Sequence, residues 1–141
     1  MIQRTAQMVK LPLPSEDECE LAVNIAFVAD RTMARVNSDY VGHEGTTDVI
    51  TFNYLESDEP LFDGDVAVDL FICADVAERE GAARADSSYA RELALYIVHG
   101  LLHAAGEDDL DPVSRKRMRR REREVMKVLG KEFNFNDIFI K

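Results

Sequence analysis

The run RELALYIVHGLLHAAG, from Arg91 to Gly106, constrains this chain more than any other segment, because it sets two histidines one turn apart on a helix that must be buried. Leu93, Ile97, Leu101 and Ala105 recur at four-residue spacing and mark its apolar face. Ser87 or Ser88 is a candidate cap, and Arg91 and Glu92 are expected on the more exposed early part. His99 and His103 project from one face, close enough to share an ion. Gly106 can take the left-handed conformation that ends a helix and turns the chain back. Asp109, or in second place Asp108, then closes a third side of the site.

Two imidazoles and a carboxylate leave a coordination position open for water, the arrangement of a catalytic rather than a structural zinc site. Nickel or ferrous iron could occupy the same set. Cys19 and Cys73 are far from this segment and show no paired spacing, which excludes a thiolate cluster. A second reading of the same residues is a hydrogen-bonded histidine pair without an ion, followed by an ordinary helix end with solvated acids. Against it, two polar rings deep in a buried helix need partners, and coordination would satisfy both. Where the HExxH proteases carry a glutamate base, this chain has Gly100, so peptidase chemistry by that route is disfavoured. What remains is a Lewis acid able to polarise a carbonyl or phosphoryl oxygen.

HGLLHAAGEDD, His99 to Asp109, resembles the HGxLHLxGYDH motif of bacterial rRNA-maturation endoribonucleases of the YbeY type, whose three histidines hold zinc. His99, Gly100, His103, Gly106 and Asp108 match, and Asp109 stands at the third metal histidine. VNSDYVGHEGTTDVITF, Val36 to Phe52, is similar to the family's LNxxYRGxDxxTDVLSF, with Asn37, Tyr40, Gly42, Thr47, Asp48, Val49 and Phe52 in register. Gly64, Asp65 and Val66 resemble the GDI strand opening, and Asp75 and Val76 begin a helix at the family's PEVA-like turn. Arg91, Glu92 and Leu93 match its REL, and Met118 and Glu122 its last helix, so the likeness runs from about Leu21 to Gly130. Three further departures are Val41 for an arginine associated with activity, Glu107 for a tyrosine, and Asp86 for a common histidine.

The resemblance implies a zinc-dependent endoribonuclease acting on single-stranded RNA, in small-subunit rRNA 3′-end maturation and ribosome quality control. It implies rRNA and the ribosome as partners. His99, His103 and Asp109 would hold the metal, and His43 could contact RNA or transfer a proton, against the blander reading of a surface histidine. Thr47 and Asp48, at a strand opening, are expected to shape the cleft or orient ligands. The alternative is a metal-stabilised ribosome- or RNA-binding module with little or no nuclease activity, which Val41 keeps open.

A net charge of −10 over 141 residues argues at first against a nucleic-acid partner. Its distribution reverses part of that inference, because Arg115 to Arg123 carries seven basic residues and one acid, or +6, leaving −16 elsewhere. Arg115, Arg117, Arg119 and Arg120 are therefore candidates for holding an RNA backbone, although a solvated helix face would read the same way. MIQRTAQMVK lacks the apolar core of a signal peptide, and no run approaches the ~20 apolar residues of a membrane span. A cytoplasmic protein without membrane contact is expected.

The order of elements predicts one α+β domain over residues 1–141, a small mixed sheet packed against helices with the metal-binding helix central. Helix is expected over Met1 to Val9, from an Asp30 cap through Val36, over Asp75 to Ala83, and from Asp111 and Pro112 onward. Strands are expected over Leu21 to Val28, Thr47 to Phe52 and Val66 to Cys73, with Leu11 to Asp17 turn-rich and the acidic Glu56 to Asp63 a solvated loop. Both cysteines fit apolar strands, and Phe133, Phe135 and Phe139 would tuck against the core or form an edge strand.

Overall fold

A computed structural model describes residues 1–15 and 17–141; Glu16, inside the expected turn-rich segment, lies outside them. The strands are β1 (Ala22–Val28), β2 (Val49–Asn53) and β3 (Val66–Cys73), in spatial order β1-β3-β2. The central β3 runs parallel to β1, with Ile25 opposite Leu70, and antiparallel to β2, with Thr51 opposite Leu70. Its sequence VAVDLFIC is apolar almost throughout because both faces are covered: Ala67, Val68, Leu70, Ile72 and Cys73 are all buried.

Helices α1 (Ile2–Met8), α2 (Asp30–Val36), α3 (Ala74–Ala83), α4 (Tyr89–Ala104), α5 (Pro112–Glu132) and α6 (Phe135–Ile138) surround this sheet. A π-helical turn, Asn37–Val41, extends α2 and ends at Gly42 in the left-handed region. The α+β class and the central position of α4 are as expected. Ser88 caps α4 by accepting from the Arg91 N–H, and Asp111 caps α5 by accepting from the Ser114 N–H. Among the described residues no helix is long and apolar enough to cross a membrane.

Three expectations are corrected. Glu92 is buried, 2% exposed, because the first turn of α4 is covered by α3, and its nearest cation is Arg84 at 4.0 Å. Burial pushes its carboxyl up, with Arg84 opposing. Asp30 does not cap α2; its own N–H donates to Asp75 Oδ2, while its carboxylate accepts two hydrogen bonds from Arg79, at 2.6 and 2.9 Å, that hold it down to about 2. Cys19 precedes β1 and is half-buried rather than in a strand. Of the two readings of the tail, packing on the core holds: Phe133, Phe135 and Phe139 pack there, and the segment forms the short α6 instead of an edge strand.

The contact that places α4 is at Gly100. A β-carbon there would stand 2.7 Å from Leu70 Cδ2 and 3.2 Å from Thr51 Oγ1, so the helix backbone lies against β3 and β2 at a distance only glycine allows. Gly130, inside α5, faces open space. The same substitution should therefore have opposite signs at the two sites. Gly100→Ala should destabilise by about 1–3 kcal/mol through overpacking, because the fully buried Leu70 has little room to move. Gly130→Ala should stabilise by about 0.5–1 kcal/mol through helix propensity. Urea unfolding of the two variants beside the parent checks both signs.

Candidate metal centre

The descent of α4 onto the sheet leaves its His99–His103 edge facing a cleft of about 420 Å³. Val41 at the end of the π-helical turn, His43 from the loop that follows, Thr47 before β2, and Asn53 at the end of β2 line its other walls. Asn53 Nδ2 donates to the Ala104 carbonyl at 3.0 Å, tying the end of β2 to the last turn of α4. Asn37 Nδ2 donates to the Gly45 carbonyl at 2.9 Å, and the His43 N–H donates to the Asn37 carbonyl at 3.1 Å, which orders the loop bearing His43.

Helix α4 ends in a Schellman arrangement. The Gly106 N–H donates to the His103 carbonyl and the Glu107 N–H to the Leu102 carbonyl, each at 3.0 Å, with Gly106 at φ +102°. The reversed chain then carries Asp109 back toward the helix, where its Oδ2 lies 3.8 Å from His103 Nε2. One ligand atom each from His99, His103 and Asp109 falls within 4.8 Å of the others, so these three residues could hold a metal ion. All three are partly exposed, which leaves an approach from the cleft.

The hydrogen bonds of the two rings fix their tautomers. His103 Nδ1 lies 3.0 Å from the Glu107 carbonyl, which can only accept, so Nδ1 carries the proton. His99 Nδ1 donates to the Glu122 carboxylate on α5. Both Nε2 atoms therefore turn lone pairs toward the same point, and they stand 3.1 Å apart. Two lone pairs at that distance repel unless a proton or a cation lies between them. A divalent ion fits this donor set, since both rings are already oriented and Asp109 supplies an anionic oxygen.

The electrostatics bear on the same choice. Burial alone would push the His99 imidazole down, but the hydrogen bond and charge of Glu122, with Asp48 and Asp109 nearby, outweigh it and raise His99 above its ordinary value. Without a cation, His99 Nε2–H can then donate to His103 Nε2.

Arg115, Arg117, Arg119 and Arg120 all lie exposed on α5, but not on one face. Arg115 and Arg119 precede Glu122 by seven and three residues and so share its stripe of the helix. Arg120 lines a groove elsewhere with Lys116 and Arg123. Arg117 borders that groove too, yet its Nε lies 3.7 Å from Glu107 Oε2. The sequence reading passed over two residues that act on the rings: Glu122, matched only as a family position, and Glu107. The signal for Glu122 was its isolation as the lone acid among the seven bases of Arg115 to Arg123.

The family model described as Endoribonuclease YbeY matches residues 1–130. Among curated proteins, Endoribonuclease YbeY of Staphylococcus carnosus is 38% identical over 119 residues, covering 82% of this chain and 75% of its own length. The protein of the same name from Chlorobium phaeovibrioides is 33% identical over 122 residues, covering 86% and 78%. A Thermotoga maritima protein solved in solution superposes with a TM-score of 0.57 at 23% identity, covering 92% of this chain and 80% of that one, which supports the fold.

The raised His99 fixes the sign of the pH dependence. Metal must displace the shared proton, so affinity should fall as pH is lowered, beginning above the ordinary histidine value of about 6.5, and uptake near neutral pH should release a proton. In the metal-free chain the same shift adds stability that is full below about 6.5 and fades as pH rises through the folded value. Glu122→Gln should flatten that slope. Titration calorimetry in buffers of different ionisation enthalpy, with urea unfolding across pH, checks both; metal uptake without proton release would contradict the assignment.

Proposed function

The chain belongs to the YbeY endoribonuclease family, and from that premise we propose that residues 1–141 act as one domain that hydrolyses single-stranded RNA with the help of a divalent metal, in small-subunit rRNA 3′-end maturation and ribosome quality control. The observation that carries this reading is the pair of tautomer-fixed histidines whose Nε2 atoms converge at 3.1 Å beside Asp109. His99, His103 and Asp109 would hold the ion. Zinc is the ion proposed, and nickel or ferrous iron suits the same donors. When bound, such an ion supplies Lewis acidity toward a phosphoryl oxygen and makes water a stronger acid.

The remaining work falls to the chain's own residues. Arg115 and Arg119, on the Glu122 stripe, would hold phosphates flanking the scissile bond, and Arg120 the backbone further out. Arg117 has less charge to offer RNA, because Glu107 already faces it. His43, exposed at the cleft wall, would hold or pass a proton near the leaving or attacking oxygen. Glu122 keeps the His99 ring aimed, Thr47 lines the cleft wall, and Asp48 lies outside that lining and acts on His99 through its charge. The ribosome and its rRNA are the proposed partners, and the cytoplasm the proposed compartment.

A second reading, an RNA- or ribosome-binding module with little turnover, is favoured by Val41. Its isopropyl group, 43% exposed, lines the cleft where a cation could stabilise charge developing on the phosphate. The two readings separate in one assay on single-stranded rRNA fragments with zinc, paired with binding measurements. Asp109→Ala should lose or weaken the metal and abolish cleavage. Val41→Arg should raise cleavage roughly tenfold or more while changing RNA affinity less. Unchanged cleavage in Asp109→Ala would remove the metal assignment, whereas intact binding without cleavage in every variant would establish the binding module.

A further inference from the structure

The side chain of Glu107 occupies an unusual place for an acid. It is the second residue past Ala105, the C-cap of α4, a position at which a hydrophobic contact back to the helix ordinarily secures the Schellman turn. Here the turn is secured by charge. Glu107 Oε1 accepts from Arg121 Nη1 at 3.4 Å, and Glu107 Oε2 lies 3.7 Å from Arg117 Nε. The two arginines are four residues apart, on one face of α5. Glu107 is about one-fifth exposed and Arg121 30% exposed, so this contact is shielded more than an ordinary surface pair; Arg117, at 56%, is the looser member.

The backbone of the same residue is held from two sides. Its N–H donates to the Leu102 carbonyl, and its carbonyl accepts from His103 Nδ1–H, each at 3.0 Å. Fixing the side chain therefore fixes the direction of the carbonyl, and the carbonyl fixes both the tautomer and the tilt of the His103 ring. The other ring is oriented by Glu122, which also stands on α5. One helix that offers no ligand thus sets both imidazoles, directly for His99 and through an ionic clamp for His103.

We propose that Glu107 is a positioning residue of the metal centre, held by Arg121 and, more weakly, Arg117, so that its main-chain carbonyl keeps His103 Nε2 aimed at the ion. The inference rests on the reading of His99, His103 and Asp109 as a metal site. It also gives Arg117 and Arg121 a role distinct from holding RNA. Partners of this kind, one step removed from the ion, typically govern metal affinity by 10- to 100-fold.

The test uses the full chain loaded with zinc, and separately with cobalt(II), whose absorption bands report ligand geometry. Glu107→Ala and Arg121→Ala should each weaken zinc binding about 10-fold or more in chelator competition and should shift the cobalt bands; Arg117→Ala should do less of both. Glu107→Asp should recover part of the affinity. The reversed pair, Glu107→Arg with Arg121→Glu, should bind zinc more tightly than the two single effects combined predict. A merely structural contact would lower the unfolding temperature of the metal-free chain and leave the cobalt spectrum alone. Parent-like zinc affinity and cobalt bands in Glu107→Ala, or no coupling in the reversed pair, would overturn the clamp while leaving the centre standing. A parent chain that takes up neither ion would overturn the centre and the clamp together.

Discussion

The approach of α4 to the sheet at Gly100 governs the rest of the molecule. His99 stands one residue before that contact and His103 three after, so the depth at which the helix lies on Leu70 and Thr51 sets where both rings emerge. A helix held further out by any side chain would carry the imidazoles away from Thr47 and Asn53, and the cleft between them would widen. The absence of a glutamate after His99 has the same cause: that position faces the sheet, where no side chain fits. The glycine that argued against protease chemistry is a packing requirement before it is a chemical statement.

Much of this was legible in the chain. Strand β3 follows the predicted span residue for residue, because a run apolar at all positions but Asp69, set between Gly64 and the start of a helix, admits little else. The start of α5 was equally plain, since Asp111 and Pro112 combine a side-chain acceptor with a residue suited to the first turn. Asp109 beside His103 followed from the reversal at Gly106. Glu92, Asp30 and Glu122 escaped that reading for one physical reason, which is that their environment comes from elements distant in sequence. Glu92 is covered by α3, Asp30 meets Arg79 across 49 residues, and Glu122 reaches His99 across 23. Periodicity shows which side of a helix is apolar; it does not show which polar residue is drawn inward by a partner on another element.

The split in charge also takes a more definite form in three dimensions. The bases of α5 do not form a single stripe: Arg121 and Arg117 are turned to Glu107, Arg120 and Arg123 border an outer groove, and Arg115 and Arg119 share the side of Glu122. A run that reads as one cationic tract therefore divides its charge between pairing with Glu107 and standing exposed on other faces of the helix. Net charge along a segment overstates what is available to a ligand whenever some of it is already neutralised internally.

The Schellman turn at Gly106 and the position of α5 together partition the site in a way that matters for its drift over time. The atoms proposed to touch an ion are encoded within eleven consecutive residues, His99 to Asp109, whereas the groups that set the basicity and aim of those atoms are encoded mainly on a separate helix. Exchange of one donor type for another, such as a carboxylate at position 109, leaves that supporting layer untouched. Changes on α5 can in turn retune how firmly an ion is held without altering which atoms hold it, so selectivity and affinity have separate addresses in this sequence.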